Sequence, residues 1–261
     1  MSNFPGGTVT IDTQTLHAHL NDFLQCNEIT DYCPNGLQVE GRQSVSRIVT
    51  GVTATQALIE KAIELNADAL LVHHGYFWKG EDQTITGMKQ RRIKALLSHG
   101  INLLAYHLPL DVHAQVGNNR QLGERLGVEN MRPMAAVKPL GIVYQGEFAA
   151  GLQHNELAEL LTRQLSRSPL SEAVIDRPIK TLAWCTGGGQ GFIEQAAAAG
   201  VDAFVTGEVS EQTIHVAREM GIDFFSAGHH ATERYGVKAL GDYLAESFGL
   251  DVTFIDIPNP A

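Results

Sequence analysis

The chain has 261 residues, 44% of them hydrophobic, enough to bury a sizeable core as one large domain or two small ones. A formal charge of -10 provides no general basic surface for a nucleic-acid backbone and leaves small-molecule chemistry as the expectation. The three cysteines, Cys26, Cys33 and Cys185, form neither a CxxC pair nor an even disulfide set. No stretch reaches the roughly 18 apolar residues of a membrane span, and Met1–Gly7 lacks the charged and apolar regions of a leader, so a reducing cytoplasm is expected.

Thr13–Cys26 places Leu16, Leu20, Phe23 and Leu24 on one face and reads as a first amphipathic helix, with Asp12 or Thr13 as its cap. Asp31–Gly41 contains Pro34 and Asn35-Gly36 and reads as a turn, either lining a site or simply leading into a strand over Arg47–Val52. Thr53 opens a capped helix carrying Leu58, Ile59, Ala62 and Leu65. Ala67–Gly75 then reads as a buried parallel strand ending in two adjacent imidazoles, His73 and His74. Ligands collect at the carboxyl ends of such strands. The aromatics Tyr76, Phe77 and Trp78 follow, either walling a pocket for a planar substrate or joining the core, and Lys79 is the nearby cation.

A helix over Met88–His99 leads to a strand at Ile101–Ala105 and to His107-Leu-Pro-Leu-Asp111, where Pro109 predicts a loop. Asn118–Leu126 is a short helix, Met131–Leu152 reads as strands, Gln153–Leu165 as a helix and Ser171–Asp176 as a strand. Lys180–Thr186 enters Gly187–Gly191, which is either an anion-binding turn or a tight strand-to-helix connection. Phe204–Gly207 precedes Glu208, a candidate general base or partner of a ligand. Glu211 and His215 share a helix face and read as a solvated pair. After Ile222–Ala227 comes His229-His-Ala-Thr-Glu233, then a long helix and a last strand over Asp251–Ile257.

Two passages repeat. Gly100-Ile-Asn and Gly221-Ile-Asp each open an apolar run closed by His-x-x-x-[Asp/Glu], and Asn66-Ala-Asp-Ala-Leu-Leu-Val is echoed by Gly200-Val-Asp-Ala-Phe-Val-Thr. The copies lie about 121 to 134 residues apart, the size of a small domain, so two α/β lobes are expected over 1–130 and 131–261. His73, His74, Asp111, His229 and Glu233 offer nitrogen and oxygen donors without thiolate, which suits zinc, manganese or iron. Five such ligands suit two divalent ions, bridged by Glu233 or Asp111.

Tyr32–Gly41, Val72–Gly80, His107–Asp111, Thr206–His215 and Ala227–Glu233, in that order and over nearly the whole chain, closely resemble the dinuclear metal centre proteins, or GTP cyclohydrolase I type 2 homologues, of the YbgI-like kind. The resemblance implies two similar α/β lobes related by an internal repeat, facing each other across a cleft with two metal ions, in a ring-shaped hexamer. It places the ligands at His73, His74, Asp111, His229 and Glu233, with His107 as a further candidate. Many relatives carry an extra domain between the lobes, for which this chain has no room. The implied activity is metal-dependent hydrolysis of a nucleotide or phosphoester. For GTP, Tyr76 or Phe77 would face the base and Gly187–Gly191 the triphosphate. The competing class is a non-catalytic protein that binds or delivers metal, or an assembly scaffold.

Overall fold

The computed structural model describes residues 9–261, so the Met1–Gly7 stretch read for a leader lies outside them. The chain forms two compact units, one running up to Pro109 and resuming over Val237–Ile257, the other comprising Leu110–Gly236 and Pro258–Ala261. These are not the halves 1–130 and 131–261 expected from the repeat. The last strand pairs in parallel with Arg47–Thr53, which returns the end of the chain to the first unit.

The first unit contains β1 (Ile11–Asp12), α1 (Thr13–Phe23), β2 (Gly36–Val39), β3 (Ser44–Val45), β4 (Arg47–Thr53), α2 (Gln56–Glu64), β5 (Ala69–His74), α3 (Gly87–His99) and β6 (Asn102–Ala105). Helix α4 (Leu108–Val112) carries the chain across the first dividing point. The second unit contains α5 (Asn118–Arg125), β7 (Glu129–Pro133), β8 (Tyr144–Leu152), α6 (His154–Leu165), β9 (Leu170–Glu172), β10 (Ile179–Cys185), α7 (Ile193–Ala198), β11 (Ala203–Thr206), α8 (Glu211–Met220) and β12 (Asp223–Ser226). Helix α9 (His229–Phe248) then leads to β13 (Asp251–Phe254).

The first sheet has the order β13-β4-β5-β6-β2 and the second β7-β8-β10-β11-β12-β9. Strands β4, β5 and β6 are parallel and β2 returns antiparallel to β6. Strands β10, β11 and β12 are likewise parallel, with β9 antiparallel to β12. Each unit thus holds the same four-strand order and directions. The central runs are fully buried, as strands covered on both faces must be. Leu70, Val72 and Leu103 pack with Leu58, Ile59 and Leu96 in one core, and Leu182, Val205 and Phe225 with Leu157, Leu161 and Leu122 in the other.

The repeat extends to polar groups. Asp68, just before β5, accepts hydrogen bonds from the Ser46 and Arg47 amides and the Ser46 hydroxyl, and pairs with Arg42. Asp202, just before β11, does the same for the Lys180 and Thr181 amides and the Thr181 hydroxyl, and pairs with Arg177. Each carboxylate therefore ties one parallel strand to the start of the next. The preceding helices of the third strands also end alike, α3 at Gly100 (φ 62°) and α8 at Gly221 (φ 71°), in the left-handed conformation that glycine adopts without a Cβ penalty.

Three expectations change. Asp31–Gly41 is not wholly a turn, because Gly36–Val39 finds the open edge of β6 and pairs as β2. His107–Asp111 is not a loop: Leu108–Val112 is helical, and Pro109 sits in the first turn, where a missing N–H breaks no bond. The strand expected over Ser171–Asp176 is Leu170–Glu172, since the next amides, of Val174 and Ile175, donate to Asp223 instead of a strand partner.

Burial opposes ionisation of Asp68 and Asp202, but the backbone and side-chain donors outweigh it and hold both carboxyls below their ordinary value. Their stabilisation is therefore complete above about pH 4 and is lost as pH falls through the lower folded values. Asp202→Ala is expected to cost roughly 2–4 kcal/mol near neutral pH, because it strands buried amides. Thermal melts across pH should show the gap to the parent narrowing below about pH 4; a gap independent of pH would mean that the folded carboxyl is not ionised.

Candidate metal centre

In the first unit, β5 delivers His73 and His74, and the residue two beyond β6 is His107. His73 is wholly buried and His107 nearly so. Candidate ligand atoms of the three lie within 4.8 Å of one another. Their Nδ1 atoms are already engaged: His73 with the Tyr106 carbonyl at 2.9 Å, His74 with the Thr53 hydroxyl at 3.1 Å, and His107 with Asp31 at 3.0 Å. A carbonyl or carboxylate can only accept, so His73 and His107 carry their proton on Nδ1 and present the Nε2 lone pair. Metal-ligating histidines are commonly oriented this way.

Asp31 opens the segment for which lining a site was one of the two readings, and its role on His107 was not among the expectations. Besides His107 it accepts from the Leu108 amide, the Tyr32 amide and the Asn35 side chain, while Asn35 accepts from the His107 amide. Burial opposes its ionisation, but the His107, Asn35 and Leu108 donors bring its carboxyl down to about 2. Asp31, Cys33 and His107 also converge closely enough to hold an ion, yet the Asp31 oxygens are already committed to orienting His107.

In the second unit, Asp111 lies in α4, and its Oδ1 accepts from Asn118 at 2.8 Å and Thr186 at 3.4 Å. His229 and Glu233 are one turn apart on α9, so they share a face, with His229 Nε2 at 3.1 Å from Glu233 Oε2. His229 Nδ1 meets Glu208 Oε1 at 2.7 Å, and Gln190 donates to the other Glu208 oxygen. Burial lowers the His229 pKa, but the Glu233 and Glu208 carboxylates outweigh it and bring it up to about 9. Glu208 is thus the Nδ1 partner of His229, as Asp31 is of His107.

Asp111 is 5% and Glu233 3% exposed, and ligand oxygens of the two lie within 4.8 Å of each other. Two buried carboxylates at that separation repel strongly unless a proton or cation sits with them. With imidazole nitrogens and no thiolate in the set, the donors fit a borderline divalent ion.

The glycine turn serves this arrangement. Gly187 (φ 63°) lies against Glu233 and His229, and a Cβ there would run into the Glu233 carboxylate. Its N–H donates to Thr232 Oγ1 and that of Gly189 to Thr206 Oγ1, while the Gly187 carbonyl accepts from the Gly207 and Glu208 amides. The amides of Gly187 and Gly189 are thus engaged within the protein, and the turn lets the chain approach the ligands closely.

The aromatic expectation moves by one residue. Tyr76 is buried in the first core with its hydroxyl on the Ala54 carbonyl, and Phe77 packs on that core under Lys89. Trp78 instead reaches the histidines, 5.0 Å from the His107 ring and 6.0 Å from that of His74, and Tyr32 lies 5.1 Å from His107. Lys79 is exposed, and its backbone N–H donates to the Tyr32 carbonyl. Glu211 and His215 are exposed on α8 and outside the ligand groups found among the described residues.

Asp31→Asn and Glu208→Gln keep the size of the Nδ1 partners and remove their charge. Each is expected to weaken zinc binding by about 10–100-fold, measured by chelator competition. Glu208→Gln should leave the melting temperature nearly unchanged, whereas Asp31→Asn should lower it, because one of the two buried oxygens that accept from Tyr32, Asn35, His107 and Leu108 becomes a donor. Affinity equal to the parent's in both variants would show that these carboxylates do not orient the histidines. Gly187→Ala is expected to weaken binding at least as much, because the ligand carboxylate must move.

No helix among the described residues is long and apolar enough to cross a membrane. The Duf34/NIF3 (NGG1p interacting factor 3) family matches residues 11–260. The chain is 56% identical over 255 residues to a Pseudomonas aeruginosa protein named GTP cyclohydrolase 1 type 2 homolog, covering 97% of this chain and 100% of that one. An Escherichia coli K12 protein of the same name is 55% identical over 247 residues, covering 93% and 96%. Among solved structures, protein ybgI, described as of unknown function, matches with a TM-score of 0.93 at 52% identity, covering 96% and 100%. A Thermus thermophilus protein matches with a TM-score of 0.87 at 35% identity and the same coverage. The chain belongs to the Duf34/NIF3 family.

Proposed function

We propose that the chain is a cytoplasmic dinuclear metal-dependent hydrolase. His73, His74, Asp111, His229 and Glu233 are the ligands of two divalent ions, zinc, manganese or iron, and His107 is a further ligand position. The observation that carries this reading is the buried pair Asp111 and Glu233, whose oxygens lie within 4.8 Å. Glu233 also approaches His229, which suits it to bridge.

Bound divalent ions supply Lewis acidity and lower the pKa of water so that a hydroxide is available near neutral pH. The chain's own residues do the positioning. Asp31 and Glu208 hold His107 and His229 with Nε2 forward, and Gly187 leaves room for the Glu233 carboxylate. Trp78 and Tyr32, beside His107, suit a planar base. With the relatives' name, GTP cyclohydrolase 1 type 2 homolog, this favours a nucleotide or related phosphoester as substrate. For the assembly, the proposal keeps the hexameric ring implied by the family resemblance. The competing reading is a non-catalytic protein that stores or delivers metal.

Purified protein is expected to contain about two divalent ions per chain by elemental analysis. Glu233→Ala should lose an ion and, on whichever nucleotide or phosphoester a substrate screen yields, lose turnover in kcat. Gly188→Ala, where an added Cβ meets nothing closer than 3.7 Å, should keep both. At most one ion, unchanged by Glu233→Ala, removes the two-ion reading. Wild-type turnover in Glu233→Ala transfers the function to the non-catalytic class.

A further inference from the structure

A second constellation lies in the second unit, built from residues unrelated to the metal ligands. Asp223 opens β12 with its side chain buried, His154 is the first residue of α6, and Ser171 lies on β9. His154 Nδ1 is 2.7 Å from Asp223 Oδ2, and His154 Nε2 is 2.9 Å from Ser171 Oγ. The other Asp223 oxygen accepts from the Val174 and Ile175 amides, which fixes the carboxylate, and the imidazole stacks on Phe225 at 4.5 Å. A carboxylate on Nδ1 places the imidazole proton there and turns the Nε2 lone pair toward the serine hydroxyl. That is the contact order of a nucleophilic serine, its general base and the acid that orients the base.

The repeat supplies an internal comparison. The residue opening β6, equivalent to Asp223, is Asn102, which accepts from the Gly41 amide and donates to the Arg42 and Asp68 carbonyls. An amide therefore suffices to fasten the returning strand. The carboxylate at 223 adds one thing to that task, a negative charge on an imidazole whose other nitrogen faces a solvent-exposed serine.

We propose that Ser171, His154 and Asp223 form an acyl-transfer site, independent of metal, for small activated esters. Ser171 Oγ bonds to the acyl carbon as its proton passes to His154 Nε2. The carbon–oxygen bond to the leaving group then breaks, and the departing oxygen takes that proton. Water repeats the sequence on the acyl-serine and releases the carboxylic acid. Among the described residues β9 is the outer strand of its sheet, and an outer strand presents unpaired backbone N–H groups, the donor type that stabilises the developing oxyanion. The exposure of Ser171 restricts the substrate to esters that need no deep acyl pocket.

The test uses the full chain in excess chelator, so that the metal centre takes no part. Treatment with a fluorophosphonate, followed by intact mass and peptide mapping, is expected to place one adduct on Ser171, and p-nitrophenyl acetate hydrolysis to follow the same residue. Ser171→Ala, an exposed change that leaves the fold alone, should abolish both. Asp223→Asn can still accept the Val174 and Ile175 amides, but its amide donates to Nδ1 and moves the imidazole proton to Nε2. Like His154→Gln, it should slow labelling by about 100-fold or more. Labelling of the parent no faster than of Ser171→Ala, an adduct on another residue, or His154→Gln and Asp223→Asn labelling at the parent rate would each overturn the proposal and leave a hydrogen-bond chain that only fastens β9.

Discussion

The buried approach of Asp111 and Glu233 is the constraint around which the second unit is arranged. Folding alone gives no reason to bring two carboxylates within 4.8 Å away from water, because desolvation and mutual repulsion both oppose it. The surroundings offset part of this: Asn118 and Thr186 donate to Asp111, and His229 lies against Glu233. The Gly187 turn is shaped by the same demand, since the chain passes so close to Glu233 that no side chain fits. Cys185 feels it as well. Burial first, then the charges of Asp111 and Glu233, push its thiol well above the ordinary range.

A framework of the same strand order in each unit makes this arrangement possible. Asp68 and Asp202 do the same work on the two sheets, joining the start of the central strand to the strand before it with a single carboxylate. Rigid parallel strands fastened at their amino ends deliver their carboxyl ends at fixed positions, which is where His73, His74, His107 and His229 follow. The framework is alike in the two units while the residues at the strand ends differ. Where β5 ends in two imidazoles, β11 runs into Gly207 and Glu208, and Glu208 orients an imidazole instead of supplying one.

Much of this was legible in the sequence because it is periodic or local. The helices over Met88–His99, Asn118–Leu126 and Gln153–Leu165 are found within a residue or so of their expected ends, and the twin Gly-Ile-[Asn/Asp] passages become β6 and β12. What escaped depends on partners far along the chain. Gly36–Val39 looks like a turn until the edge of β6 is available, where Gly36 pairs with Ala105, 69 positions further on (105 minus 36). Asp31 carries no local sign that it will hold His107, and Trp78 rather than its two neighbours reaches the histidines through the path the backbone takes at Phe77, φ 66°. The division of the chain escaped for the same reason, since the return of β13 to β4 is decided by a strand pairing and not by composition.

The orienting carboxylates show why a ligand set is easier to read than the groups behind it. His107 and His229 hold equivalent places in the repeat and both have a carboxylate on Nδ1. One comes from a loop 76 residues earlier, the other from 21 residues earlier at the end of the neighbouring strand. The shared strand order does not bring that carboxylate from the same place in each unit. Its arrival from different places means that the requirement lies in the imidazole, which must keep its proton on Nδ1 and direct Nε2 forward. The requirement is chemical, and any carboxylate that the local chain path can bring within reach meets it. A motif records the path; the hydrogen bond records the need, and here the need recurs where the motif does not.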